Sequence, residues 1–155
     1  MVGTEEQAIV SLYTKLLAAW NAQDAAAMAA LFADDGAQVG FDGSEAQGAR
    51  TIHQHLAPIF RDHPTKRFVH LVREVRPLAD DVALLRAVAG MVPRDSLELD
   101  ESKNAIQSLV MRKGSDGWRI ALFQNTPAKF DGRPEAVTAM SNELRAAAEQ
   151  QLGGT

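Results

Sequence analysis

The sequence predicts an α+β domain in which helices come first and an antiparallel sheet follows. Three observations point there. An apolar stripe recurs at three- and four-residue spacing near the start of the chain, four strand-like segments follow one another in its second half, and short turn-rich connections join those segments in pairs. Short connections make antiparallel hairpins, whereas parallel strands need long crossovers. A length of 155 residues is that of one domain and suffices to bury a core without staples.

Taken in order, Thr4-Glu5-Glu6-Gln7 has the form of a capping box. Behind it Ile9, Leu12, Tyr13, Leu16, Leu17 and Trp20 lie on one side of an amphipathic helix. Asn21-Ala22-Gln23 interrupts the stripe, and Asp24 is placed to cap a second helix over residues 25–32. Asp34-Asp35-Gly36 reads as a turn and residues 37–41 as a short strand closed by Asp42-Gly43. Gly48 precedes a third helix over residues 49–60, which Pro58 should kink or end.

Segments 66–76, 82–92, 102–113 and 118–126 read as strands. Residues 78–81 and 114–117 are hairpin turns, while residues 93–101 form a longer acidic loop expected to be exposed and mobile. Pro127 ends the last strand. Pro134 opens a terminal helix with one weak apolar face, suited to dock on the domain or on a partner subunit. The chain thus divides into a main domain, 1–130, and a helical extension, 131–155.

Composition removes several functions. There is no cysteine, so no disulfide framework, thiolate nucleophile or cysteine–metal site. The net charge of −4 and the absence of a concentrated basic face argue against nucleic acid as a partner. No apolar run reaches membrane-span length, and the polar start is unlike a signal peptide; a cytoplasmic location is the expectation. His53 and His55 splay apart on a helix, which is poor metal geometry. No nucleophile elbow, phosphate loop, nicotinamide or flavin fingerprint is present, so no cofactor and no metal are expected.

Several short runs resemble one superfamily. Trp20-Asn21-Ala22-Gln23-Asp24, Leu31-Phe32-Ala33-Asp34-Asp35-Gly36, Gly48 before a helix containing Ile52, and Asp116-Gly117-Trp118-Arg119-Ile120 together resemble the nuclear transport factor 2-like (SnoaL-like, ketosteroid isomerase-like) superfamily. Phe123-Gln124-Asn125-Thr126 resembles its SgcJ/EcaC type, frequent among actinobacterial natural-product genes. The resemblance spans residues 5–127. It implies a cystatin-like cone, a curved antiparallel sheet wrapped on N-terminal helices, in the order α-α-β-α-β-β-β-β plus a C-terminal helix. It also implies a homodimer joined through the outer sheet face, here Arg86, Val88, Trp118 and Ile120. Fold alone does not give function.

Strand alternation and the resemblance place Leu85, Ala87 and Met91, then Gln107 and Leu109, then Phe123 and Asn125, on the concave side. Tyr13, Leu16 and Trp20 form the helical wall, with Phe41 near the mouth. Apolar walls with a few polar groups suit an apolar small molecule. Gln107 and Asn125 need partners if buried: each other, water or a ligand. A one-residue parity error would put Ser108 and Gln124 inside instead. His70 is the candidate for proton transfer, since imidazole titrates near neutral pH; its direction stays open between pocket and outer face.

The isomerase set is missing. The positions resembling its base and oxyanion holders are Gly40, Leu16 and Leu109, none able to do that work. Asp42 lies close to the base position but reads as part of the Asp42-Gly43 turn. Two readings follow: a small-molecule-binding or accessory protein, in bacterial enediyne or polyketide biosynthesis by the resemblance, or a cofactor-free cyclase, dehydratase or isomerase using His70.

Overall fold

The structure is a computed structural model and describes residues 3–153. Helix α1 (Gly3–Asn21) and the short α2 (Ala25–Ala29) lead into β1 (Phe32–Val39), β2 (Glu45–Gln47) and α3 (Ala49–Asp62). Strands β3 (Arg67–Ala79), β4 (Val82–Val92), β5 (Asp100–Gly114) and β6 (Gly117–Pro127) follow, and α4 (Pro134–Leu152) ends the described chain. All strands belong to one sheet, in the order β2-β1-β6-β5-β4-β3. β3 to β6 form an antiparallel meander, and β1 joins β6 in parallel. This is the expected α+β architecture, a curved sheet with helices against it.

The two faces of the sheet have separate cores. On the concave face Ile9, Tyr13, Leu16 and Leu17 of α1 and Ile52 and Leu56 of α3 pack on Leu85, Ala87, Leu109, Met111 and Phe123. On the convex face Met140, Leu144, Ala147 and Ala148 of α4 cover Val69, Val88 and Val92. Helix α4 therefore docks on its own chain. Gly90 makes room for it: a Cβ there would lie 2.6 Å from Leu99 Cδ1 and 3.1 Å from Leu144 Cδ1. β3 is an edge strand, and Gln151 pairs with its backbone as a neighbouring strand would. Its Oε1 accepts from His70 N at 3.0 Å and its Nε2 donates to His70 O at 2.8 Å, satisfying groups that an open edge leaves unpaired. A bidentate Arg73–Glu143 pair at 2.7 and 2.8 Å adds a second tie.

Several expectations need correction. The second helix stops at Ala29 rather than residue 32, because Phe32 already pairs with Ile120 in the sheet. The 34–36 turn is instead a bulge inside β1: between Phe32 and Ala37 the strand moves five residues while β6 moves from Ile120 to Leu122. Gly36 is required at that point, since a Cβ would come within 2.6 Å of Ile120 O. Strand β2 went unread because it is only three residues long. Pro58 leaves α3 unbroken; the carbonyl it fails to serve belongs to Gln54, an exposed residue whose oxygen water can satisfy. Thr4 lies inside α1 and does not cap it. The 93–99 loop is tied down: Arg67 donates to Pro93 O and Ser96 O, and Lys66 pairs with Asp100 at 2.6 Å.

The expected outer face changes most. Met111 pairs with Ile120 but Val110 pairs with Leu122, so Ala121 is an extra residue in β6. A one-residue bulge reverses which face the side chains take. Ile120 is accordingly fully buried in the concave core, and Trp118 packs against that core too. Val88 lies beneath α4. Of the four residues expected to pair two copies, Arg86 alone stays exposed on the convex side, bonded to Glu74 at 2.7 Å.

Candidate functional site

The segment from Trp20 to Asp24 fixes one end of the cone. Trp20 Nε1 donates to Lys66 O at 2.8 Å. Asn21 pairs with the backbone of Phe68 in both directions, accepting at 2.7 Å and donating at 3.1 Å. Gln23, at φ 55, ends the helix in the left-handed region and donates to His63 O at 2.6 Å. Asp24 then caps α2 by accepting from Ala27 N. The polar residues that interrupt the apolar stripe thus clamp the end of α1 to the end of α3 and the start of β3, in line with cap and turn chemistry.

A cavity of about 300 Å³ opens beside this clamp. Trp20, Met28, Leu56, Ile59, Phe68 and Phe123 supply apolar wall, Asn125 and Gln38 supply buried amides, and Asp42, His55 and Lys103 stand around it. Phe41 lines it as well, with Lys103 Nζ 5.4 Å from its ring centre. Its size falls at the low end of small-molecule sites, and its lining is of that kind.

A hydrogen-bond chain runs from the core to this wall. The Tyr13 hydroxyl donates to Gln107 Oε1 at 2.6 Å, and Gln107 Nε2 donates to Asn125 Oδ1 at 3.1 Å. Tyr13 and Gln107 are fully buried and Asn125 is 8 % exposed. Burial pushes the Tyr13 hydroxyl well above its ordinary pKa, so it remains a protonated donor. Each amide is thereby oriented by the one before it, and among the described residues the Asn125 Nδ2 hydrogens have no protein partner. On the neighbouring strand β1, where it pairs with Phe123, Gln38 is 7 % exposed, and its Oε1 is buried with no partner among the described residues. A buried acceptor left this way is destabilising by about 1–3 kcal/mol, unless water or a ligand completes it.

The sequence-derived residues divide into two groups. Trp20, Phe41, Phe123 and Asn125 line the cavity. Tyr13, Leu16, Leu85, Ala87, Gln107 and Leu109 are buried on the concave side but lie behind the wall, and Met91 is half-buried at the edge of that core. The parity of β5 is as read, with Gln107 in and Ser108 out. Met28, Gln38, Leu56, Ile59, Phe68 and Lys103 were not anticipated. Gln38 was hidden because β1 carries a bulge, while Met28 and Leu56 fit the helical stripes already and could have been read from them.

His70 shares the concave face with Phe68 and Val72 and meets the Tyr13 ring edge-on, with ring centres 5.3 Å apart. Burial holds its pKa below the ordinary value, so the imidazole is neutral at neutral pH. It is not part of the cavity wall, and among the described residues no side chain bonds to its ring. Asp42 accepts from Ser44 N at 2.9 Å, the turn role expected of it.

A curved sheet closed by helices around one half-apolar cavity defines the class: a cystatin-like, nuclear transport factor 2-like α+β protein. The chain belongs to the SnoaL-like domain family, which matches residues 9–125. No curated protein matches it. Among solved structures it resembles a domain of unknown function with a cystatin-like fold from Nostoc punctiforme, at 23 % identity and TM-score 0.78, over 99 % of this chain and 94 % of that one. It also resembles a protein of unknown function from Mycobacterium tuberculosis, at 22 % identity and TM-score 0.67, over 97 % and 95 %. A ketosteroid isomerase-like protein from Erwinia carotovora is similar at 19 % identity and TM-score 0.63, over 83 % and 99 %. At these identities the likeness concerns the fold. Among the described residues no helix is long and apolar enough to cross a membrane.

Proposed function

We propose that the protein binds an apolar small molecule in the cone and holds a hydrogen-bond acceptor of that molecule on the Asn125 amide. The observation that carries this is the directed chain Tyr13–Gln107–Asn125, which ends in unused donors at the wall of a cavity that Trp20, Leu56, Phe68 and Phe123 also line. A carbonyl is the simplest matching group. A polyketide-derived ligand, and with it an accessory role in natural-product biosynthesis of the SgcJ/EcaC kind, fits the same chemistry and is part of the proposal.

The test is calorimetric titration of 2-heptanone into wild-type protein and Asn125→Asp. The substitution keeps an oxygen for Gln107 Nε2 and deletes the amide hydrogens. Losing the hydrogen bond, with an acceptor-only carboxylate now facing the ketone oxygen, predicts binding weaker by at least roughly three- to tenfold. Equal affinity for the two proteins would refute the role of Asn125. Mass spectrometry of small molecules co-purifying from the native host would then identify the physiological ligand.

The enzymatic reading rests on His70 as acid or base. Its ring sits against Tyr13, away from the cavity wall, so binding is the reading we adopt. Pairing of two copies, if it uses the convex face, is left with the strip around Leu84, Arg86, Val110 and Leu122 that α4 does not cover; Leu122→Arg should then yield a monomer by light scattering.

A further inference from the structure

The cone cavity does not end at Phe41. A second, open groove of about 450 Å³ lies on the other side of this residue, lined by the apolar Pro127, Ala128 and Val137 and by the polar or charged Glu101, Ser102, Asn104, Lys129 and Asp131. Phe41 lines both spaces. It belongs to neither β1, which ends at Val39, nor β2, which starts at Glu45. Its chain segment turns through Gly40 and Gly43, with Gly43 N bonded to Gly40 O at 2.9 Å. A half-buried ring on a tight loop can change rotamer without breaking a strand pairing. The residue that separates the two spaces is therefore among the easier ones around the cavity to move.

Resting on the ligand-binding reading above, we propose that the two spaces are halves of one site. The ligand is then an elongated apolar molecule, with its acceptor group at Asn125 and its chain passing Phe41 into the groove floored by Pro127, Ala128 and Val137. Two features support this chemistry. The cone alone holds only a small molecule, whereas the combined space suits a chain. At one end Asn125 presents unused donors, and beyond Phe41 the groove adds Pro127, Ala128 and Val137 as apolar surface beside Asn104, whose buried Oδ1 also has no partner among the described residues. Charged residues on the groove edge leave the far end of the chain near water, so a terminal polar group is tolerated there.

The test uses straight-chain 2-alkanones from 2-heptanone to 2-pentadecanone, titrated into wild-type protein and Val137→Trp, which fills the groove. Each buried CH₂ should tighten binding roughly fourfold, from a transfer value of about 0.8 kcal/mol. In the wild type the gain should continue through the long ketones. In Val137→Trp it should stop once the cone is full, with 2-heptanone binding unchanged and serving as the check that the variant is folded. A crystal structure of the wild-type protein with 12-bromododecan-2-one gives a second readout that needs no variant, and its bromine should lie beside Val137. A wild-type affinity that levels off with the short ketones, or a bromine anywhere else, overturns the elongated site while leaving short-ligand binding intact. Failure of every ketone to bind overturns both readings together.

Discussion

The concave and convex faces of one sheet are both covered by helix, yet they treat buried polar groups differently. On the convex side polar side chains serve attachment. Asn104 donates to Ser141 at 2.9 Å, Gln151 pairs with the edge of β3, and Arg73 grips Glu143, each joining α4 to the sheet. On the concave side Tyr13, Gln107 and Asn125 form a directed chain that leaves unused donors at a cavity. The convex face uses its hydrogen bonds to attach a helix, with Asn104 Oδ1 left buried without a partner among the described residues, while the concave face presents free donors at a cavity. A polar network that ends in open capacity is an inefficient way to hold a core together, and that is the physical reason to read the concave face as a site.

Breaking the middle of the chain should have the largest effect. Gln107→Leu strands the Tyr13 hydroxyl in the interior, at about 1–3 kcal/mol, and takes from Asn125 Oδ1 the donor that orients it; denaturant unfolding would report the loss as a lowered midpoint. On the convex face Leu144→Ala should cost about 2–5 kcal/mol through the cavity it leaves against Val88 and Val92, but it should leave 2-heptanone affinity unchanged. Loss of ketone binding in that variant at a temperature where it is folded would show that the two faces are coupled.

The next effect depends on pH. The His70 pKa is held below its unfolded value by burial. The unfolded chain therefore takes up a proton first as pH falls below about 6.5. The contribution to stability is complete above that pH, declines as pH drops toward the folded pKa, and has been lost below it. His70→Phe, which keeps a ring against Tyr13, should flatten the dependence of Tm on pH between pH 7.5 and 5.5. The smallest change in stability is expected for Gln38→Leu. It removes an unsatisfied buried oxygen that a ketone, lacking a donor, does not satisfy, so Tm should hold or rise and ketone affinity should not fall.

Much of this difference was legible in the sequence. Period-two alternation put Gln107 and Leu109 on one face of β5, and the superfamily resemblance made that face the inner one, opposite Tyr13 and Leu16 on the helical stripe. What stayed hidden lay beyond irregularities that periodicity does not register. The extra Ala121 reversed Trp118 and Ile120, turning an expected outer surface into core. The bulge in β1 masked Gln38, the second cavity amide. The covering of Val88 depended on where α4 docks, a tertiary choice that its weak apolar face left open between the domain and a partner. His70 was readable as a candidate by chemistry, but only its packing on Tyr13 shows that it stands away from the cavity wall.

Ligand binding in the cone requires that the free donors of Asn125 meet the ligand. The most direct measurement is a titration of 2-heptanone into ¹⁵N-labelled protein, following the side-chain NH₂ signals of Asn125, assigned by their disappearance in Asn125→Asp. A saturable downfield shift of these signals, larger than at any other side-chain amide, is predicted. Asn125 signals that stay fixed while the ketone saturates a site elsewhere would contradict the central claim.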